Sequence, residues 1–198
     1  YAPDTAVERT VVSGVSVADL GPEELGVSPG RRLVVKWTAN GDTTIVPAGR
    51  ADEAAAPAQS IEADFEGAFT LVGADLEADA IVPGSPLQLT LTWRVGSAEV
   101  AQPSPATAAP LAAFVHLSGD DPADILAQYD GWGAALMGLE RGDVIRQRVT
   151  LQVPQESERD SYYIQVGLYS PQSDRRLAVS DSEESYVRLG PFEPSLDP

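Results

Sequence analysis

The stretch that decides the fold is LQLTLTWRV, residues 87–95. Apolar side chains occupy every second position, namely Leu87, Leu89, Leu91, Trp93 and Val95. The positions between them are polar. Because successive side chains of a β-strand point to opposite faces, this alternation predicts a strand with one face in the core and the other turned outward.

The same period of two recurs along the chain, interrupted by turn signals. It is clear in RRLVVKWTA (31–39), VIRQRVTLQV (144–153) and SYYIQVGLY (161–169). Asn40-Gly41 lies between two such runs and is a strong hairpin signal. Short strands at this spacing are typical of antiparallel sandwiches. We therefore expect an all-β fold, an antiparallel β-sandwich of the jelly-roll or immunoglobulin type with roughly 9–11 strands.

The expected organisation is a single domain over residues 1–198. Its parts are N-terminal strands over 1–46 with the hairpin at Asn40-Gly41, a linker or long loop over 47–60, the sandwich core over 61–192, and a frayed tail over 193–198. A weak echo between residues 17–37 and 73–93 leaves the placement of the N-terminal strands open. They add to the main sheets, or they belong to a truncated repeat. The echo is also compatible with a coincidence of shared turn chemistry.

Composition excludes several classes of partner. The formal net charge is -17 and no basic stripe is visible, so a nucleic-acid partner is not expected. No apolar run approaches the roughly 20 residues of a membrane span, so direct membrane insertion is not expected either. The chain has no cysteine and opens without a signal peptide. This indicates either a cytosolic protein or a soluble piece of something longer.

Catalytic machinery is hard to find in the sequence. His116 is the sole histidine, and its alternating context, LAAFVHLSG, indicates a partly buried strand residue. The nearest approach to a serine nucleophile motif begins Gly14-Val15-Ser16, inside a strand-like run with no helix after it. One histidine without cysteine does not make a zinc site. We expect no catalytic residues and no cofactor.

One acidic turn raises the question of a structural calcium ion. SGDDPADILAQYD (118–130) places Asp120, Asp121 and Asp124 close together, and calcium takes oxygen ligands. The stretch does not match the twelve-residue calcium loop. Such clusters are common solvated turns in a chain with 30 acidic residues. Both interpretations stay open.

The outward faces of the strands suggest carbohydrate recognition. Aromatic rings stack on the C–H face of a sugar, while amide and guanidinium groups bond its hydroxyls. Trp132 lies outside the alternating patterns, so we expect its ring to be exposed. The predicted ligand-binding side chains are Trp132, Tyr163, Tyr169, Gln165, Arg146 and Arg148. In the alternative, other segments cover the tyrosines and Trp132 plugs one end of the sandwich.

A series of short motifs resembles a known bacterial domain over about residues 65–190. They are Gly73-Ala74-Asp75-Leu76, Pro83-Gly84, Thr92-Trp93, Phe114-Val115-His116-Leu117, Ala127-Gln128-Tyr129-Asp130, and Val166-Gly167-Leu168-Tyr169 followed by Arg176-Leu177. In order and spacing they resemble the extracytoplasmic C-terminal region of membrane glycosyltransferases of the dolichyl-phosphate-mannose mannosyltransferase-like superfamily, found in green non-sulfur bacteria. GLERGD (138–143) departs from the pattern, because the family often has a tryptophan there.

The resemblance implies an extracytoplasmic domain without a catalytic motif, in which His116 belongs to the scaffold. The leading hypothesis is a non-catalytic accessory module that binds carbohydrate or envelope polysaccharide and is attached to a membrane-embedded domain of the same polypeptide. The runner-up is a purely structural or protein-interaction domain. The third hypothesis is a glycoside hydrolase.

Overall fold

The computed structural model describes residues 11–12, 15–16, 32–37, 43–50, 56–78, 80–96, 111–132, 141–157 and 159–195. These residues form strands and turns, with no helix among them. Nothing in this part of the chain is a helix long and apolar enough to cross a bilayer.

The strands follow one another in this order: β1 (Val11–Val12), β2 (Val15–Ser16), β3 (Arg32–Trp37), β4 (Thr43–Arg50), β5 (Gln59–Phe65), β6 (Phe69–Leu76), β7 (Pro86–Val95), β8 (Ala112–Ser118), β9 (Ile125–Asp130), β10 (Asp143–Gln152), β11 (Tyr162–Ser170), β12 (Arg175–Arg176) and β13 (Val187–Phe192). The described residues thus hold 13 strands, more than the predicted number. Three of them, β1, β2 and β12, are only two residues long.

Two antiparallel sheets make the sandwich, which confirms the predicted fold class. The first has the order β3-β4-β10-β7-β6-β5. The second has the order β12-β11-β8-β9, with β13 also pairing with β11. We call them the six-stranded and the five-stranded sheet. A separate pair, β1-β2, is the third sheet among the described residues.

The core lies between the two large sheets. The alternating apolar residues of 87–95 are all buried, as predicted, and they pack with alternate residues of β8 and β11. The rings of Phe65, Phe69, Trp93 and Trp132 meet at one end of this core. The closest pair is Phe69 and Trp132, whose ring centroids are 4.8 Å apart. Burial of this apolar surface is the main stabilising term for the fold.

The side chain of Gln147 forms a polar connection between the two sheets through the core. Gln147 lies on the inner face of β10, opposite Leu91, and is 1% exposed. Its Oε1 accepts a hydrogen bond from Trp93 Nε1 at 3.0 Å, and its Nε2 donates to the carbonyl of Gly131 at 2.9 Å. Both ends of the amide are therefore satisfied, as a buried polar group requires. The bonds connect the six-stranded sheet to the residue that follows β9.

The predicted chain organisation differs from the structure at two places. β4 continues to Arg50 and β5 begins at Gln59, so strands occupy both ends of the expected 47–60 linker. The tail was expected to fray from residue 193. Residues 193–195 instead run beside Ile81, which exchanges backbone hydrogen bonds with Glu193 and Ser195. The residues Asn40-Gly41 lie outside the described part, although the strands on either side, β3 and β4, pair antiparallel.

Candidate functional site

A polar depression with an aromatic floor lies on the outer face of the five-stranded sheet. Its volume is about 370 Å³. Four strands and the turn before β12 contribute its lining: Phe114, His116, Gln128, Asp130, Tyr169, Asp174 and Arg176.

The strand register brings these residues together. Phe114 pairs with Asp130, and His116 pairs with Gln128, so two rows of β8 and β9 project on the same side. The inner face of β8 carries Val115 and Leu117, which belong to the core. On the far side of β8, Tyr169 of β11 pairs with Arg176 of β12. The side chains of β8 that line the depression therefore alternate along the strand with those that pack in the core.

Phe114 forms the floor and is only 1% exposed. Its ring lies across Gly167 of β11. A Cβ on Gly167 would come within 2.4 Å of the Phe114 ring. The ring of His116 is 4.9 Å from that of Phe114, and the ring of Tyr169 is 6.3 Å from it. A glycine at position 167 is thus what lets the aromatic floor lie against the sheet.

Arg176 lies over this floor. Its Cζ is 4.5 Å from the centroid of the Phe114 ring, a cation–π arrangement. Within the described residues Arg176 forms no ion pair, and its side chain is exposed. The contact with the ring places the guanidinium over the floor, where its N–H groups are available to a ligand.

A neighbouring ion pair holds β12 in place. Arg175 donates to both carboxylate oxygens of Glu66, at 2.8 and 3.0 Å. Glu66 also accepts a hydrogen bond from the backbone N–H of Ala178. The hydrogen bond from Arg175, with help from that of Ala178, lowers the pKa of the Glu66 carboxyl. The β5–β6 turn of the six-stranded sheet thereby anchors the strand that presents Arg176.

Charges within the depression perturb two of its groups. Burial lowers the pKa of His116; the charge of Arg176 lowers it further, whereas Asp130 opposes both. Burial raises the pKa of the Tyr169 hydroxyl, and Asp130 and Asp174 add to this effect. At neutral pH we therefore expect a neutral imidazole and a neutral phenol beside two carboxylates and one guanidinium.

The exposure predicted for Trp132 is wrong. Its indole is 7% exposed and packs against Phe69 and Trp93. Its Nε1 donates a hydrogen bond to the carbonyl of Leu111 at 2.6 Å. The alternative interpretation, a plug at one end of the sandwich, describes its position.

The other predicted ligand residues do not form one surface. Tyr169 alone lines the depression. Tyr163 lies on the same sheet, but Arg188 covers its ring, with Cζ 3.6 Å from the centroid. Gln165 is buried and donates to Ser118 Oγ and to the carbonyl of Pro122.

Arg146 and Arg148 point outward, as the alternation predicts, but on the six-stranded sheet. Arg146 contacts Asp75 at 3.4 Å, and Arg148 is exposed. The expected grouping of these arginines with the tyrosines is therefore wrong. The reason is that β10 and β11, although consecutive in the chain, belong to different sheets.

The acidic loop is held by hydrogen bonds within the protein. Asp121 accepts from the backbone N–H of Ala123, which is an Asx turn. Asp124 forms an ion pair with Arg159 at 2.8 Å, and the carbonyl of Asp120 accepts from Arg188. No three acidic or histidine side chains of the described residues group as metal ligands. The hypothesis of a calcium ion at Asp120, Asp121 and Asp124 thus has no ligand set in this part of the chain.

Most residues of the depression were missed at the sequence level. The sequence predicts a scaffold role for His116, and of its neighbours in the depression it predicts a ligand-binding role for Tyr169 alone. One signal was present: Phe114 and His116 alternate with the core residues of β8 and so share the outward face. Their partners Gln128 and Asp130 are equally spaced on the next strand, ILAQYD (125–130).

No protein-family model matches the chain, and no curated protein matches it. Among solved structures, the chain is similar to the crystal structure of the C-terminal domain of Wzt. The TM-score is 0.46 and the sequence identity is 12%, over 73% of this chain and 87% of that chain. A similarity this distant supports no conclusion about function. The resemblance to the glycosyltransferase C-terminal region stays a prediction.

Proposed function

We propose that this chain is a non-catalytic module that binds an uncharged saccharide in the depression on the five-stranded sheet. One observation carries the proposal. The half-buried ring of Tyr169 and a guanidinium without an ion pair to any described residue, that of Arg176, line the same polar depression. A sugar needs an apolar surface for its C–H groups and planar polar groups for its hydroxyls.

The remaining lining residues suit hydroxyl groups in particular. A hydroxyl both donates and accepts hydrogen bonds. Asp130 and Asp174 accept, Arg176 donates, and the amide of Gln128 does both. A ligand with several neighbouring hydroxyls would satisfy donors and acceptors together.

The balance of charge favours an uncharged ligand. Two carboxylates and one guanidinium line the depression, and His116 is expected to be neutral at pH 7. The whole chain carries a formal charge of -17. An acidic saccharide would bring its carboxylate near Asp130 and Asp174, where repulsion weakens binding.

A second candidate, a glycoside hydrolase, rests on the pair Asp130 and Asp174. Two carboxylates that share a site are the minimum for glycosidic cleavage. We favour the binding module because four of the six polar residues that line the depression are not carboxylates, and these four suit hydrogen bonds to hydroxyl groups. Release of reducing ends from a bound polysaccharide, abolished in Asp130→Asn, would establish the hydrolase instead.

The resemblance at residues 65–190 supports a wider setting. We infer from it that the module lies outside the cytoplasm and is joined to a membrane glycosyltransferase. Fractionation of the source cells, with antibody against this domain, tests the inference. A membrane-bound species much larger than 20.9 kDa, sensitive to external protease, is expected.

The binding test compares two exposed arginines on opposite sheets. The parent, Arg176→Ala and Arg148→Ala are each titrated with dextran, mannan and galactan as neutral probes and with alginate and polygalacturonate as acidic probes. We expect the parent and Arg148→Ala to bind at least one neutral probe equally well, and Arg176→Ala to lose that binding while melting at a similar temperature.

Two results would overturn the proposal. One is the absence of binding to every probe. The other is equal loss in Arg176→Ala and Arg148→Ala, which would remove the depression as the site. Tyr169→Ala provides a second variant of the depression, and we expect it to weaken binding as well.

A further inference from the structure

His116 occupies a position that the scaffold does not explain. It is the sole histidine of the chain and lies in the middle of β8, at 8% exposure. A buried imidazole in a scaffold normally has hydrogen-bond partners for its nitrogens. The Nδ1 atom of His116 has none and is shut off from solvent.

The ring nevertheless lines the depression. Nδ1 is the ring nitrogen that is enclosed without a partner, and Nε2 is not. We infer that the ring meets the depression along the edge that carries Nε2. No described side chain or backbone group is bonded to this nitrogen. The side chain thus has one enclosed nitrogen and one nitrogen that faces the space where a ligand would lie.

The enclosure of Nδ1 selects the tautomer. A neutral imidazole carries one proton, on Nδ1 or on Nε2. A proton on Nδ1 would leave a buried donor without an acceptor, and unpaired buried donors are rarer than under-satisfied acceptors. The proton therefore belongs on Nε2, and His116 faces the depression as a hydrogen-bond donor.

The groups around the ring agree with this assignment. Asp130 on β9 and Arg176 on β12 act on the ring electrostatically in opposite directions. Gln128 and Gln165 lie opposite it on β9 and β11 and carry no charge. Protonation would also place an N–H at Nδ1 without a partner, so the neutral form is favoured.

We propose that His116 determines specificity by donating a hydrogen bond from Nε2–H to an oxygen of the saccharide in the depression. This inference rests on the proposed function, since it names the contact by which that ligand is recognised. The ligand must then present an oxygen acceptor toward β8 while its other hydroxyls meet Asp130, Asp174 and Arg176.

Two amide variants separate this role from a structural one. The side-chain nitrogen of glutamine reaches the place of Nε2, whereas that of asparagine reaches only the place of Nδ1. We expect His116→Gln to bind the neutral probe within about threefold of the parent. His116→Asn should bind it roughly five- to tenfold more weakly, the loss of one neutral hydrogen bond. Melting temperatures of both variants show whether they fold.

Nitrogen NMR of the single histidine gives the second readout. In the free protein near pH 7, Nε2 should be protonated and Nδ1 unprotonated. Addition of the neutral polysaccharide that binds in the panel should shift the Nε2–H resonance downfield and leave the tautomer unchanged. A merely structural histidine would show no such shift.

Each outcome decides a different claim. A proton on Nδ1 in the free protein, or His116→Asn binding as tightly as the parent, overturns the role of His116 and leaves the proposed function standing. A parent that binds no probe of the panel overturns the proposed function and this inference with it.

Discussion

The polar connection through the core offers a quantitative test of how the two sheets are held. Replacing Gln147 by leucine removes both of its hydrogen bonds and keeps a side chain of similar size. Trp93 Nε1–H and the carbonyl of Gly131 then lose their partner. The indole is fully buried, so an unpaired N–H there costs about 2–3 kcal/mol.

The other contributions to the change in the free energy of unfolding are smaller. The hydrogen bond to the Gly131 carbonyl is only partly buried, so its loss costs about 1 kcal/mol. The additional apolar surface that leucine buries stabilises the folded state by about 1 kcal/mol. The net destabilisation is about 2–3 kcal/mol, which lowers Tm by roughly 4–12 °C for a domain of this size.

The assay is urea unfolding followed by tryptophan fluorescence, with calorimetry for Tm. Gln152→Leu is the matched control, because it makes the same change on the exposed face of the same strand. It should alter stability by less than about 0.5 kcal/mol. In a Trp93→Phe background the cost of Gln147→Leu should fall by about 2–3 kcal/mol, because the indole N–H that would be left unpaired is already gone. Equal stability of parent and Gln147→Leu would refute the reasoning, as would an equal loss in Gln152→Leu.

Three further predictions concern the depression. Gly167→Ala places a Cβ 2.4 Å from the Phe114 ring, so we expect a loss of about 1–3 kcal/mol in urea unfolding and weaker saccharide binding; an unchanged midpoint would contradict the close approach. Because the pKa of His116 is lowered in the folded protein, the unfolded chain protonates this residue at a higher pH than the folded chain does. Protonation therefore favours unfolding as the pH falls below about 6.5. The parent should therefore lose more stability than His116→Gln between pH 7 and 5, and parallel curves would argue against the burial of a neutral imidazole. Asp130→Asn combined with Asp174→Asn should raise the affinity for polygalacturonate relative to that for dextran in the same titration. An unchanged ratio of the two affinities would show that these two carboxylates are not the source of the preference for neutral saccharides.

The sandwich was predictable because one physical signal dominates the sequence. Every second residue of 87–95 is apolar, and in the structure each of those side chains is buried. Turn residues then separate the strands, which makes an antiparallel arrangement the simplest solution. Gln147 is an exception to the alternation, because a polar residue occupies a position that faces the core. Its hydrogen bonds to Trp93 and Gly131 make this burial possible.

The prediction that Trp132 is exposed is wrong for a related reason. It rests on the position of this residue outside any alternating run, and such a position does not require exposure. Its ring instead turns back into the core after β9, where Phe69 and Trp93 pack against it and Leu111 accepts its N–H. Contacts between residues so far apart in the chain leave no local trace in the sequence.

The depression could be predicted only in part. Alternation assigns Phe114, His116 and Tyr169 to outward faces, but it does not say which strands share a sheet or in what register. Arg176 joins the site because β12 pairs with the end of β11 and is anchored by Glu66 of the other sheet. Both facts depend on the whole fold.

The central claim, that a saccharide binds over Tyr169 and Arg176, is tested most directly by hydroxyl-radical footprinting of the tyrosines with and without the neutral polysaccharide that binds. Tyr163 is the internal control, since it lies on the same face of β11 beneath Arg188. We predict that the ligand slows oxidation of Tyr169 and leaves that of Tyr163 unchanged. Unaltered oxidation of Tyr169 at saturating ligand would contradict the claim.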